Sequence, residues 1–168
     1  AFSTLRYELN PQGIATVKFD EPGSPVNTMK PAWQADMLAL ADQLHTDQAA
    51  LKGILLTSAK TTFFAGADLK GVLELKASDA ATGFRGIEAV KNAFRRMETM
   101  GKPVVALLQG AALGGGWELA LVAHARFALD KPSILFGLPE VTLALIPGAT
   151  GITKMTRLLG LMTAQPYL

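Results

Sequence analysis

The chain has 168 residues, enough for one domain with a sizeable hydrophobic core and too few to require a second. It carries 16 basic and 14 acidic residues, a formal net charge of +2 that gives no argument for nucleic-acid binding. The absence of cysteine excludes disulfides, thiolate metal sites and a cysteine nucleophile. No apolar run reaches the ~18 residues of a membrane span, so we expect a cytoplasmic protein without membrane insertion.

The first half of the chain predicts a hairpin, a helix and a buried strand. Alternating residues predict antiparallel strands at about 5–9 and 14–20, joined by a turn at "PQG". From Pro31, apolar residues repeat at helical spacing through Leu44, which indicates an amphipathic helix. The apolar run "GILLTSA" (53–59) has the length of a buried strand and leads into the small-residue loop "FFAGADLKG".

The second half alternates helices and strands. A helical pattern runs from Ser78 to Met100, and "PVVALLQGAA" (103–112) predicts a buried strand that ends in a glycine turn. Next come a predicted helix at "WELALVAHA" (117–125) and short strands at "RFALD" and "SILFG". A last helix is predicted at "GATGITKMTRLLGL" (148–161). Because two strands precede several of the helices, the sequence predicts an α/β fold built from ββα units.

The stretch "LQGAALGGGWELA" places three glycines, Gly114–Gly116, directly before the lone carboxylate of Glu118. Free N–H groups at the start of a helix can bind an anion or a developing oxyanion. Burial would raise the pKa of Glu118 and the helix N-terminus would lower it, which makes this residue a candidate general acid or base. A first-turn glutamate that only stabilises its helix, beside glycines that only allow close packing, is the alternative. The glycines do not follow the G-x-G-x-x-G order of a dinucleotide site.

Two further stretches carry candidate residues. In "FFAGADL", the small residues at 65–67 leave backbone N–H groups uncovered, and Asp68 is a predicted helix N-cap. In "LFGLPEVTLALIPG", Glu140 is flanked by apolar residues. Two carboxylates in one apolar pocket can divide the roles of acid and base, and only the fold can bring Glu140 to Glu118. The alternatives are that Asp68 only caps a helix and that Glu140 is a surface residue after a turn proline.

Together, "FFAGADLK", "GAALGGGWELAL" and "FGLPEVTLALIPG" resemble the enoyl-CoA hydratase (crotonase) family over essentially the whole chain. The resemblance is strongest to the hydratase part of multifunctional fatty-acid-oxidation proteins, which carry a 3-hydroxyacyl-CoA dehydrogenase further along. It implies a spiral of ββα repeats. It also implies that the backbone N–H groups of Ala65 and Gly115 form an oxyanion hole, that Glu118 helps to deprotonate water, and that Glu140 protonates C2. The loop formed by Ala65, Gly66, Ala67 and Asp68 would grip the CoA end.

The implied activity is hydration of 2-enoyl-CoA to 3-hydroxyacyl-CoA in fatty-acid β-oxidation. CoA would be part of the substrate, no metal or other cofactor would be needed, and NAD would enter only with a following dehydrogenase domain. One alternative is a Δ3,Δ2-enoyl-CoA isomerase, which needs a single well-placed carboxylate. The other is a non-catalytic acyl-CoA-binding or assembly module.

The sequence departs from the family pattern in four places, one of which is "VAHA" (122–125) where the family usually has a run that ends in Asp. Ala144 stands where the family usually has glycine, and "PGATGIT" replaces a more glycine-rich version, so we expect a narrower pocket beside Glu140. The family core also continues into helices that complete the acyl pocket and build oligomers, or into further domains. The resemblance therefore implies that residues 1–168 form a C-terminally truncated crotonase-like core that is weakly active or inactive alone.

Overall fold

A five-stranded sheet and a smaller two-stranded sheet frame the molecule in the computed structural model, which describes residues 1–168. The strands are β1 (Leu5–Leu9), β2 (Ile14–Phe19), β3 (Gly53–Ser58), β4 (Val104–Leu108), β5 (Ala112–Leu113), β6 (Ala125–Ala128) and β7 (Phe136–Gly137). The larger sheet has the order β1-β2-β3-β4-β6, in which β1 and β2 are antiparallel and all other neighbours are parallel. β5 and β7 pair in parallel. The predicted α/β class is confirmed.

Helices connect the parallel strands. They are α1 (Pro31–Thr46), α2 (Leu69–Glu74), α3 (Ala80–Thr99), α4 (Gly115–Val122), α5 (Gly151–Leu159) and α6 (Leu161–Ala164), with short 3-10 helices at Ala77–Asp79, Pro139–Leu143 and Gln165–Tyr167. As predicted, α1 begins at Pro31, because the fixed φ of proline suits the first helical position. Every helix is too short or too polar to cross a lipid bilayer.

The structure differs from the predicted elements in the second half of the chain. The predicted strand 103–112 is divided into β4 and β5, because the chain bends where the Gln109 side chain donates to the Ser58 and Lys60 carbonyl oxygens at 2.8 and 3.2 Å. The predicted strand "SILFG" is reduced to the two residues of β7. The predicted last helix begins only at Gly151, because the residue before it has left-handed backbone angles.

The core joins the larger sheet to α1, α3 and α4 through 25 buried apolar residues. Aromatic rings dominate its centre: the ring of Phe64 packs edge-on against Phe19 and Trp33, with centroid distances of 5.7 and 5.2 Å. Phe63 and Phe64 are both fully buried and directly precede Ala65. Burying rings of this size contributes about 2–3 kcal/mol each, so the loop that starts at Ala65 is anchored in the core.

Buried Asn27 connects the loop between β2 and α1 to the rest of the molecule. Its Oδ1 accepts the Glu21 N–H at 2.9 Å, and its Nδ2 donates to Ser58 Oγ at 2.9 Å and to the Phe63 carbonyl oxygen at 3.2 Å. Its own backbone carbonyl accepts the Ala65 N–H at 2.9 Å. The loop after β2 is therefore hydrogen-bonded to the end of β3 and to the segment that follows it.

Ala144, at the position where a glycine was expected from the family pattern, gives a stability prediction. Its φ is +55°, in the left-handed region, and its side chain is exposed. A Cβ costs about 1–2 kcal/mol in this region, so Ala144→Gly is expected to raise the free energy of unfolding by about 1 kcal/mol. Urea unfolding measures this change. The control, Ala39→Gly on the exposed face of α1, should lower stability by about the same amount, and a loss of stability at both positions would contradict the prediction.

Candidate active site

The site forms where the loop after β3 contacts the glycines at the start of α4, Gly114–Gly116. A Cβ atom on Gly116 would lie 2.3 Å from the Phe64 carbonyl oxygen, and one on Gly66 would lie 2.7 Å from the Leu113 carbonyl oxygen. No side chain fits at these distances, so glycine at both positions lets the two backbones touch. The same Cβ position on Gly66 is only 3.5 Å from the Gly115 backbone nitrogen. The fold therefore brings the two predicted loops together.

Backbone N–H groups on both sides of this junction are available to a ligand. The N–H groups of Gly115 and Ala67 have no hydrogen-bond partner within the chain, whereas the Gly114 N–H donates to the Gly137 carbonyl oxygen at 2.9 Å. Gly115 is the first residue of α4, where N–H groups lack intrahelical acceptors. Ala67 is exposed and directly follows Gly66. These two residues provide the free donors on either side of the loop contact.

Ala65, expected as the second donor of the oxyanion hole, is not available. Its N–H donates to the backbone carbonyl of buried Asn27 at 2.9 Å, and a ligand could use this donor only by breaking that bond. The structure contradicts the expectation for Ala65, because the loop after β2 pairs with this residue. The N–H groups of the next two residues, Gly66 and Ala67, have no partner within the chain; Gly66 is buried, and Ala67 is exposed.

Glu118 is buried in the first turn of α4, with 2% of its surface exposed. Its Oε1 accepts two backbone N–H groups, from Ala149 at 2.9 Å and from Gly151 at 2.6 Å, while its Oε2 receives no hydrogen bond. Burial raises the pKa of Glu118 from the ordinary 4.5 to about 6; the N–H groups of Gly151 and Ala149 oppose this rise, and the charge of Glu140 adds to it. The predicted opposing effect on the pKa exists, but it comes from the N–H groups at the start of α5, those of Ala149 and Gly151.

Glu140 lies in the 3-10 helix Pro139–Leu143, and its carboxyl group is at the first turn of α4. A Cβ on Gly114 would lie 2.9 Å from Glu140 Oε1. Glu140 Oε2 is enclosed and has no hydrogen-bond partner, and burial raises the pKa of this carboxyl group. The structure therefore places Glu140 and Glu118 at the start of the same helix, α4. Each has one carboxylate oxygen, Oε2, without a hydrogen-bond partner.

The remaining residues at the junction support the loop. Asp68 occupies the N-cap position of α2, as predicted, but its side chain makes no capping hydrogen bond. Met29 was not identified from the sequence: its N–H donates to the Gly66 carbonyl oxygen at 2.9 Å, and its thioether covers Gly115. The loop residues Asn27, Ala149 and Gly151 were also missed as parts of the site, since their roles come from backbone groups and no side-chain motif marks them.

The fold and the site together define a class of protein. Parallel ββα units hold two carboxyl groups of raised pKa beside unpartnered backbone N–H groups, which is the layout of a site that transfers protons next to a polarised carbonyl group. Residues 10–168 match the family model for enoyl-CoA hydratase/isomerase. The chain belongs to this family, the crotonases.

Curated relatives agree with this assignment. The chain is 37% identical over 155 residues to the fatty acid oxidation complex subunit alpha of Idiomarina loihiensis, and 37% identical over 154 residues to that of Shewanella amazonensis. These alignments cover 91% and 90% of this chain and 21% of each relative, so the chain spans about a fifth of the relatives' length.

Solved structures agree on the fold. An enoyl-CoA hydratase from Bacillus anthracis superimposes with a TM-score of 0.84 at 27% identity, covering 98% of this chain and 61% of that one. A second enoyl-CoA hydratase structure, from Geobacillus kaustophilus, has a TM-score of 0.87 at 23% identity. The expected crotonase fold is confirmed.

Glu118 gives the protein a predicted pH dependence of stability. Because its pKa in the folded state, about 6, lies above the ordinary 4.5, the folded state binds the proton more tightly than the unfolded state. This stabilisation is complete below about pH 4 and is lost as the pH rises through about 6. Between about pH 4 and pH 7, we expect the stability difference between wild type and Glu118→Gln to shift by about 2 kcal/mol in favour of the variant.

Urea unfolding at the two pH values measures this shift. Glu8→Gln, on the exposed side of β1, is the matched control for loss of a surface carboxylate. A stability difference between wild type and Glu118→Gln that stays constant with pH would show that Glu118 has the same proton affinity in both states.

Proposed function

We propose that this chain catalyses the hydration of 2-enoyl-CoA thioesters to 3-hydroxyacyl-CoA thioesters. One observation supports this proposal most directly: Glu118 and Glu140 each have an unpartnered carboxylate oxygen beside the free N–H groups of Gly115 and Ala67. The names of the relatives, a fatty acid oxidation complex subunit and enoyl-CoA hydratases, agree with this class of substrate.

The two free N–H groups would bind the thioester carbonyl oxygen. When hydroxide adds to C3, an electron pair moves through C2 and the carbonyl carbon onto this oxygen, which becomes the oxyanion of an enolate. Fixed N–H donors stabilise that charge without reorganising, and the loss of one such donor typically costs about 10²–10³ in rate. We assign these donors to Gly115 and Ala67, because the Ala65 N–H is bonded to the Asn27 carbonyl oxygen and Gly66 is buried, whereas Ala67 is exposed.

The two glutamates would divide the proton transfers. We assign Glu118 as the base, because two N–H groups stabilise its charged form and, with a pKa of about 6, it is mostly ionised at neutral pH. Its Oε2 would accept a proton from water while the hydroxide oxygen bonds to C3. Glu140, whose pKa is raised by burial and whose Oε2 receives no hydrogen bond, would give its proton to C2. Return of the proton from Glu118 to Glu140 completes the cycle.

The CoA end of the substrate would lie along the loop from Ala65 to Asp68. Ala65 and Ala67 are exposed, whereas Gly66 between them is buried against Leu113, so the loop presents backbone groups on its open side. We also propose that the protein acts together with other subunits, since its relatives are named as subunits of a fatty acid oxidation complex.

Isomerisation is the second candidate, because the matched family includes isomerases as well as hydratases. A Δ3,Δ2-isomerase needs one carboxylate to carry a proton between C4 and C2, whereas hydration uses two. Product analysis by chromatography separates the two reactions: a hydratase converts a 2-enoyl-CoA to the 3-hydroxy product, and an isomerase converts a 3-enoyl-CoA to the 2-enoyl isomer. Binding of acyl-CoA in a calorimeter without either product would identify a non-catalytic module.

Replacing either glutamate should remove most of the activity. In the protein that contains this chain, Glu118→Gln and Glu140→Gln are each expected to lower kcat for crotonyl-CoA hydration by about 10²-fold or more, because each variant lacks one proton-transfer group. The loss of enoyl-thioester absorbance measures the rate, and Glu8→Gln controls for the loss of a carboxylate. Wild-type rates in both glutamine variants would refute the proposal.

The donor assignment is tested by removing single N–H groups. Ala67→Pro removes the free N–H and should lower kcat by about 10²-fold with little change in unfolding temperature. Ala65→Pro removes the N–H that is bonded to Asn27 and should instead lower stability by about 1 kcal/mol or more. The opposite pattern, in which only Ala65→Pro lowers kcat at unchanged stability, would show that the Ala65 N–H is the second oxyanion-hole donor.

A further inference from the structure

The loop before α5 has an unusual backbone conformation at Thr150. This residue has φ +104° and ψ −4°, and only one other residue that is not glycine, Ala144, has a positive φ. A β-branched residue in the left-handed region is a genuine outlier, because its Cβ crowds the backbone. The buried Thr150 Oγ1 also has no hydrogen-bond partner, so the side chain does not stabilise the conformation through a hydrogen bond.

The conformation has a direct geometric consequence. A left-handed residue turns the N–H groups of its two neighbours to the same side and forms a concave anion site, called a nest. The N–H groups on either side of Thr150, from Ala149 and Gly151, both donate to one atom, Glu118 Oε1, at 2.9 and 2.6 Å.

The carboxylate fills this nest closely. A Cβ on Gly151 would lie 2.9 Å from Glu118 Oε1 and 3.0 Å from Glu118 Cγ, so the loop backbone is in contact with the Glu118 side chain. This contact and the two hydrogen bonds determine the position of Oε1. They leave Oε2 as the oxygen without a hydrogen-bond partner.

We propose that Thr150 is a positioning residue for Glu118: its left-handed backbone aims the Ala149 and Gly151 N–H groups at Oε1 and thereby presents Oε2 to the reacting water. This inference rests on the proposed hydratase function for the water, but the geometry of the nest does not depend on turnover. Backbone strain that persists at a site of this kind is maintained by the surrounding structure and is part of how the site works.

The test is the titration of the Glu118 carboxyl carbon by ¹³C NMR, which needs no substrate. Thr150→Pro fixes φ near −65°, so the nest cannot form. Because Glu118 then loses two stabilising N–H groups, its titration midpoint should rise by roughly 1 pH unit or more above the wild-type value near 6. Thr150→Gly allows the left-handed conformation. It should keep the wild-type midpoint and raise the unfolding temperature by roughly 2–4 °C, because strain is relieved.

A second pair of variants keeps the test decisive if Thr150→Pro does not fold. Gly151→Ala places a methyl group against Glu118 and should also raise the midpoint, whereas Gly148→Ala, whose Cβ would meet only Ile87 at an ordinary 3.8 Å, should not. Glu140 and Lys91, the other charged groups that act on Glu118, are unchanged in all four variants.

Two results would overturn the proposal. One is a midpoint that is unchanged in Gly151→Ala and in any folded Thr150→Pro protein. The other is a rise of the midpoint in Thr150→Gly as large as in Gly151→Ala or Thr150→Pro. That result would assign the effect on the midpoint to the threonine side chain and not to the backbone conformation. Failure of the proposed function is seen separately, as absence of crotonyl-CoA hydration by the wild-type protein with a normal Glu118 titration.

Discussion

The site depends on one contact between two backbones. The segment after β3 and the segment before α4 touch at Gly66 and Gly116, where added Cβ atoms would lie 2.7 and 2.3 Å from carbonyl oxygens of the other segment. At this distance only glycine fits, and the contact brings the Gly115 N–H beside the loop that carries the Ala67 N–H. The buried rings of Phe63 and Phe64 hold one side of the contact in the core. The backbone N–H groups at this contact are therefore anchored to the core.

Glu118 shows how the fold sets the properties of a buried carboxylate. Burial disfavours its charged form, and two N–H groups at the start of α5 stabilise that form in part, which leaves the pKa at about 6. A carboxylate buried without these donors would stay protonated at neutral pH, and an exposed one would be a weak base. The hydrogen bonds also connect α4 to α5, so the geometry of the carboxylate depends on an element that follows it by some thirty residues along the chain.

Two residues on the loops around the carboxylates have left-handed backbone conformations although neither is glycine. Ala144 and Thr150 have φ values of +55° and +104°. The rest of the loop maintains these angles against the preference of the residue. The two residues differ in what their strained conformation does. Ala144 is exposed and ends the 3-10 helix of Glu140, whereas Thr150 lies between the two N–H groups that bind Glu118.

The sequence by itself determined the hairpin, α1, β3 and the glycine turn before α4, because local periodicity and turn chemistry decide such elements. It also identified Glu118, Glu140, Gly115 and the loop from Ala65 to Asp68 as candidates. Only the tertiary structure decided which N–H groups are free: Ala65 is engaged because Asn27, distant in sequence, lies beside it, and Ala67 is not. The same holds for the nest at Thr150, since backbone hydrogen bonds between distant segments leave no side-chain pattern from which they could be predicted.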